Sequence, residues 1–233
     1  MRKKIDIENW SRKKSYKTFC DFDDPCTGIT TTLNVTNVVK LSKDTNNSFY
    51  GTMLYFVLMS MNEFDAFKYG YGKIGNELCV FKYDDIAATV TVLNKENELN
   101  FTRYIKFDYD YGKFIYDFSK SKEDAENNID YYKIPELENM NKVQVTCLPW
   151  IRFSNFKDAI SKSEKSSKPK ICWGKYYEEN GEYYINFSLL VNHAFQDGLQ
   201  ISSLINNLQE NINKIKSKVN KKELLYEKNK KKN

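Results

Sequence analysis

The sequence predicts a mixed α/β fold in a single domain, on three observations. Strand-like runs rich in β-branched and aromatic residues fill the middle of the chain. A long helical pattern lies on either side of them. No internal repeat and no Gly-, Ser- or Pro-rich linker divides the 233 residues. A content of 41% hydrophobic and 15% aromatic residues supports a sizeable core. The expected domain spans 1–219, with a Lys-rich, disordered tail over 220–233.

The first element is a helix starting near Ser48. The stretch "SFYGTMLYFVLMSMNEF" is apolar nearly all round, which marks a buried helix. Its longest apolar run, Met53–Met61, is about half of what a bilayer span requires, so no membrane segment is expected. "GYGKIG" (Gly70–Gly75) fits the G-x-G-x-x-G spacing of dinucleotide loops. Such a loop must open a helix, and here the strand-like "NELCVFKY" follows, so a hairpin or turn is expected instead. Further strands are read at "ELCVFKY", "AATVTVL", "KVQVTCL", "KICWGKYY" and "EYYINFSLLV". From Leu199 onward, Ile201, Leu204, Ile205, Leu208, Ile212, Ile215 and Val219 follow the three-and-four spacing of an amphipathic helix.

Charge and cysteine usage exclude several functions. The last fourteen residues hold six Lys and two Glu and so supply +4 of the net +5, which leaves a nearly neutral body with no nucleic-acid footprint. The five cysteines (Cys20, Cys26, Cys79, Cys147, Cys172) are odd in number and never spaced C-x-x-C. With one histidine in the chain, neither a disulfide framework nor a metal site is expected, and the chain reads as cytoplasmic. The basic start "MRKKIDIENW" lacks the apolar centre of a signal peptide. "SKSEKSSKPK" (Ser161–Lys170) reads as a solvated loop.

That one histidine, His193, stands in "LLVNHAFQDGLQ", where an apolar strand gives way to Asp197-Gly198 and a helix. Imidazole suits proton transfer near neutral pH, since its ordinary pKa is ~6.5. A histidine fixed by a hydrogen bond for structural reasons fits the residue type equally well.

"H-A-F-Q-D-G" (His193–Gly198) resembles the H-x-x-x-D-G signature of CoA-dependent acyltransferases. "NWSRKKSYKTF" (Asn9–Phe19), "TCLPW" (Thr146–Trp150), "GKYY" (Gly174–Tyr177) and "NHAFQDGLQISSLINNLQENI" resemble segments of the chloramphenicol acetyltransferases among them. The resemblance runs from about Asp6 to Ile212. It implies a two-layer domain, a mixed β-sheet flanked by helices, assembled as a homotrimer with active sites between subunits. It also implies O-acetylation of chloramphenicol, a small-molecule alcohol, with acetyl-CoA as co-substrate and no metal.

The resemblance assigns roles residue by residue. His193 is the general base, its tautomer held by its own main chain, and Thr146 supplies a hydroxyl to the oxyanion where the family has serine. Asp197 and Arg12 form a structural brace. Trp150 and Tyr176 match positions along the CoA tunnel, and Phe19, Phe101 and Phe156 match the acceptor pocket. The sequence departs from the family at Asn192, where a second histidine is usual, and at Cys172, where threonine is frequent. It departs also at Phe156–Ile171, which carries Asp158 and Lys170 where the family presents apolar residues. The expectation is that this Lys-rich run turns outward and leaves the three phenylalanines to hold the acceptor. A more polar pocket for another hydroxylated acceptor, and a silent trimeric binding homologue, are the alternatives.

Overall fold

The computed structural model describes residues 1–127, 140–159 and 165–215. The Lys-rich tail and the 219 boundary lie outside the described residues. The main sheet joins strands in the order β2-β10-β8-β7-β5-β6, with β9 on β10. These are β2 (Cys26–Asn34), β5 (Ala87–Leu93), β6 (Asn100–Ile105), β7 (Lys142–Cys147), β8 (Lys170–Trp173), β9 (Tyr177–Glu179) and β10 (Glu182–Asn192). β7 runs parallel to both β5 and β8, whereas β10 is antiparallel to β2 and β8, so the sheet is mixed as expected.

Strand alternation gives the sheet two different faces. On one, Val90, Val143, Val145, Ile171, Trp173, Phe187, Leu189 and Val191 are buried with the helices in one large apolar cluster. The helices are α2 (Thr36–Thr45), α3 (Phe49–Asn62), α4 (Tyr111–Glu126) and α5 (Gly198–Asn213). α3 is capped by Ser48 and is buried along its whole length from Gly51 to Asn62, which explains its all-round apolar sequence. Its Gly51 gives Phe118 of α4 room to approach: a Cβ there would lie 2.8 Å from the ring. The other face carries Gln144, Thr146, Lys170, Cys172, Ser188 and Asn192.

A second sheet is small, with β1 (Arg2–Lys4), β4 (Glu77–Tyr83) and β3 (Tyr69–Ile74) in that order. The glycine-rich "GYGKIG" is therefore the β3 side of a hairpin, with Gly75 at φ 59° in its turn. Between this sheet and the end of β10 sits a second cluster, Trp10, Val80, Ala194 and Phe195, against which Tyr16, Phe19 and Tyr71 pack. Short helix α1 (Lys13–Phe19) closes it. Among the described residues, no helix is long and apolar enough to cross a membrane.

Candidate active site

His193 occupies the turn that leaves β10. Its main-chain N–H extends the β2–β10 ladder by one step, donating to Pro25 O at 2.8 Å. Its ring lies flat on Phe19 of α1, centroids 4.0 Å apart and planes within 8°. Two residues further on, Phe195 is fully buried among Trp10, Tyr16 and Tyr71, with centroids 4.9–6.1 Å away. Gln196 donates from Nε2 to Ala66 O at 2.8 Å. The turn is thus gripped by segments far away in sequence. The His193 Nδ1 is buried with no hydrogen-bond partner on another described residue.

Asp197 does not reach His193. It is the N-cap of α5, accepting from Leu199 N–H at 3.1 Å, while Gln200 Oε1 accepts from the Asp197 N–H at 3.0 Å. This reciprocal capping box was legible in the spacing of "DGLQ" but was not read from the sequence. Its second carboxylate oxygen meets Arg12 Nη1 at 3.3 Å, so the two brace residues do come together. Arg12 also donates to Gln200 Oε1 at 3.4 Å, whereas its Nε and Nη2 are buried without partners among the described residues.

Thr146 stands near the C-terminal end of β7, on the face away from the helices, opposite Cys172 of β8. Cys172 in turn faces Ser188 of β10. His193 lies five residues beyond Ser188, roughly 16 Å along the strand and two strands across from Thr146. One chain therefore does not bring His193 and Thr146 together. Cys172 is fully buried beside Thr146, and burial, followed by the nearby Cys147 and Asp158, pushes its thiol up to about 12. A thiol so shifted stays protonated at neutral pH.

The remaining expected residues are dispersed. Trp150 is 65% exposed on the turn after β7, and that turn is joined to the Gly174–Tyr176 segment by Lys175 N–H donating to Ile151 O at 2.7 Å. Tyr176 packs on Phe49 and Tyr183, centroids 4.8 and 5.6 Å away. The two residues proposed to hold CoA thus stand on neighbouring segments at the rim of the sheet. Phe156 covers the non-helical face over β2 and β10, walling a cavity of about 220 Å³ with Gly28, Thr30 and Ser188. Phe101 is different: it pairs with Val92 and shares a strand face with buried Arg103, whose Nε donates to Ser121 O of α4. Strand alternation puts it on the helix-covered face, opposite to Thr146, so it does not join Phe19 or Phe156.

The Lys-rich run does not simply turn outward. Residues 160–164 lie outside the described residues, but at its two ends Asp158 and Lys170 form an ion pair at 3.3 Å, with side chains 20% and 15% exposed. Lys170 Nζ also donates to Ala159 O. The pair lines a cleft of about 1110 Å³ together with Cys20–Cys26, Gln144, Ser166 and Asn192. Mutual neutralisation is what permits two charges to sit this deep. Among the described residues no group of His, Cys, Asp or Glu could hold a metal ion.

Comparisons with known proteins converge on one family. Residues 2–209 match the family model described as chloramphenicol acetyltransferase. A chloramphenicol acetyltransferase of Campylobacter coli is 31% identical over 212 residues, covering 91% of this chain and 98% of that protein. One of Staphylococcus aureus is 28% identical over 215 residues, covering 91% and 96%. Among solved structures, a chloramphenicol acetyltransferase superposes with a TM-score of 0.81 at 24% identity, over 90% of this chain and 99% of its own. A probable dihydrolipoamide acetyltransferase from Listeria monocytogenes gives 0.62 at 12% identity, covering 91% and 93%, a likeness of fold alone.

Proposed function

Because the chain belongs to the chloramphenicol acetyltransferase family, we propose that it transfers the acetyl group of acetyl-CoA to a hydroxyl of chloramphenicol. The observation that carries this reading is the His193 turn. The signature histidine is presented at a strand end, stacked on Phe19, with Asp197 and Arg12 bracing the helix behind it.

An alcohol is a poor nucleophile until its proton is withdrawn as it attacks. In our reading His193 takes that proton, a contribution typically worth ~10²–10⁴ in rate. Acetyl-CoA supplies the thioester carbonyl that the alkoxide attacks. The oxygen of that carbonyl gains charge in the tetrahedral intermediate, and Thr146 is the candidate hydroxyl to stabilise it, worth roughly 3–4 kcal/mol for one donor. Collapse expels the CoA thiolate, and the proton on His193 goes to the departing sulfur. Trp150 and Tyr176 are the candidate contacts for CoA, and Phe19 and Phe156 for the acceptor.

The separation of Thr146 from His193 within one chain supports a site shared between copies. A second copy, placing its Thr146 face against this chain's His193, would complete the constellation, and a cyclic trimer provides three such sites. We read the protein as a cytoplasmic homotrimer, with residues 1–219 as its domain and the Lys-rich 220–233 segment as an appendage.

The Asp158–Lys170 pair favours a second reading, in which the chemistry is unchanged but the acceptor is more polar than chloramphenicol. Release of the CoA thiol, followed with chloramphenicol, with other hydroxylated antibiotics and without acceptor, distinguishes these readings. Chloramphenicol-dependent release is expected. Background release with chloramphenicol but acceleration by another alcohol would reject the first reading. Background release with every acceptor would leave a binding homologue.

A further inference from the structure

The residue before the histidine has both ends of its side chain in use. Asn192 is 4% exposed. Its Oδ1 accepts from the Ala194 N–H at 2.9 Å, inside the turn that carries His193. Its Nδ2 donates to Ser166 O at 2.9 Å, outside that turn. A main-chain N–H can only donate and a carbonyl oxygen can only accept, so the two partners fix which way the amide points. The Ser166 segment is itself pinned: Ser167 Oγ accepts from the Tyr71 N–H at 2.7 Å, and Pro169 O accepts from the Gln144 N–H at 2.9 Å. Asn192 therefore ties the His193 turn to a stretch anchored on both sheets and lining the large cleft.

We propose that Asn192 is the positioning residue for His193, through an amide that bonds the turn on one side and the Ser166 carbonyl on the other. The proposal rests on the reading of His193 as the base. In this arrangement Asn192 fixes the backbone beneath the ring, and Phe19 holds the ring flat. It also states what position 192 requires, which is one donor and one acceptor on a short planar group. Neutral imidazole meets the same requirement, with one N–H and one bare nitrogen. A histidine and an asparagine are then equivalent at 192, while an aliphatic or small residue is not.

The test compares Asn192→Ala with Asn192→His. Asn192→Ala is expected to lower kcat at least ~10-fold while leaving the KM for acetyl-CoA within about twofold, a split that a general loss of folding would not produce. Asn192→His is expected to stay within about threefold of the parent kcat, because the donor and acceptor are both restored. A readout independent of any acceptor is the NMR signal of the imidazole, unique in the parent and in Asn192→Ala because His193 is the only histidine. In Asn192→Ala that signal should shift and broaden as the ring loses its single orientation. An Asn192→Ala protein with a lowered Tm but parental kcat and an unchanged ring signal would overturn the proposal, as would an Asn192→His protein as impaired as Asn192→Ala. If the parent fails to acetylate chloramphenicol, the acceptor reading falls, yet the ring signal still decides the role of Asn192.

Discussion

The two ends of the main sheet that carry the candidate catalytic groups are held in different ways. At the His193 end, Pro25, Phe19, Ser166 and Ala66 all grip one five-residue turn through stacking and hydrogen bonds. At the Thr146 end the residue is fixed by its strand, one position beyond the β5 ladder and opposite Cys172 of β8. The candidate base is therefore aimed by tertiary contacts, and the candidate hydroxyl donor by sheet geometry. Remote substitutions should disturb the first far more than the second.

The largest expected effect is at the base itself. His193→Ala should lower turnover at least ~10²-fold while leaving folding and CoA binding intact, measured by thiol release and by thermal melting. A variant keeping most of the parent rate would remove the distinction between the two ends. Thr146→Val, which deletes the hydroxyl at nearly constant volume, should cost about 10²-fold in kcat, and Thr146→Ser should retain activity. The two variants also test where the ends meet. Subunits of His193→Ala and Thr146→Val, unfolded together and reassembled, should recover activity well above either variant alone if a site takes one residue from each copy. Recovery no greater than the sum of the separate variants would mean that both residues act in the same chain.

A smaller effect, on stability, is expected behind the histidine. Arg12→Ala and Asp197→Asn should each lower the Tm, reflecting a loss of stability between the ~1 kcal/mol of an exposed pair and the ~3–5 kcal/mol of a buried one. Asp197→Asn should be the more costly, because it leaves the more deeply buried Arg12 guanidinium without its counter-charge, whereas in Arg12→Ala the capping box still gives the Asp197 carboxylate the Leu199 N–H. In the double variant the losses should be strongly non-additive. Simple addition would show that the 3.3 Å contact contributes nothing as a pair.

The elements visible in the sequence are those whose pattern is carried by burial on one or both sides. α3, β4, β5, β7, β10 and α5 all fall where apolar runs or regular spacing place them. β2 was not visible: in "CTGITTTLN" only Leu33 is buried, because the strand lies at the edge of the sheet and no alternation develops. α4 escaped as well, its buried Phe114, Ile115 and Phe118 being diluted by an exposed face of Lys, Asp and Ser. The brace could be assigned only through the resemblance, since Arg12 and Asp197 lie 185 residues apart and no local pattern joins them. The displacement of Phe101 from the site follows from strand parity, which the sequence leaves open until register is known. The inward pairing of Asp158 and Lys170 was hidden for a related reason: two charges read singly look solvated, and only their contact makes burial tolerable.

That pair gives the smallest expected effect, and it tests whether the Thr146 end also sets the choice of acceptor. Lys170 is two residues before Cys172 on the same strand face, so the pair sits about 7 Å from the Thr146 row. If the acceptor rests on this face, its aromatic ring meets a charged wall. Replacing one partner, as in Asp158→Leu, strands the other charge, and should both lower the Tm and raise the KM for chloramphenicol. Replacing both, Asp158→Leu with Lys170→Leu, removes the cost of desolvating either ion and presents an apolar wall. Buried pairs exchanged for apolar side chains are often neutral or stabilising. The double variant should then bind chloramphenicol about three- to tenfold more tightly than the parent, about 0.6–1.4 kcal/mol, with kcat little changed. A KM that stays at the parental value in the double variant would place the pair outside the acceptor's path, and would leave Phe156 and Phe19 as the side chains that meet the drug.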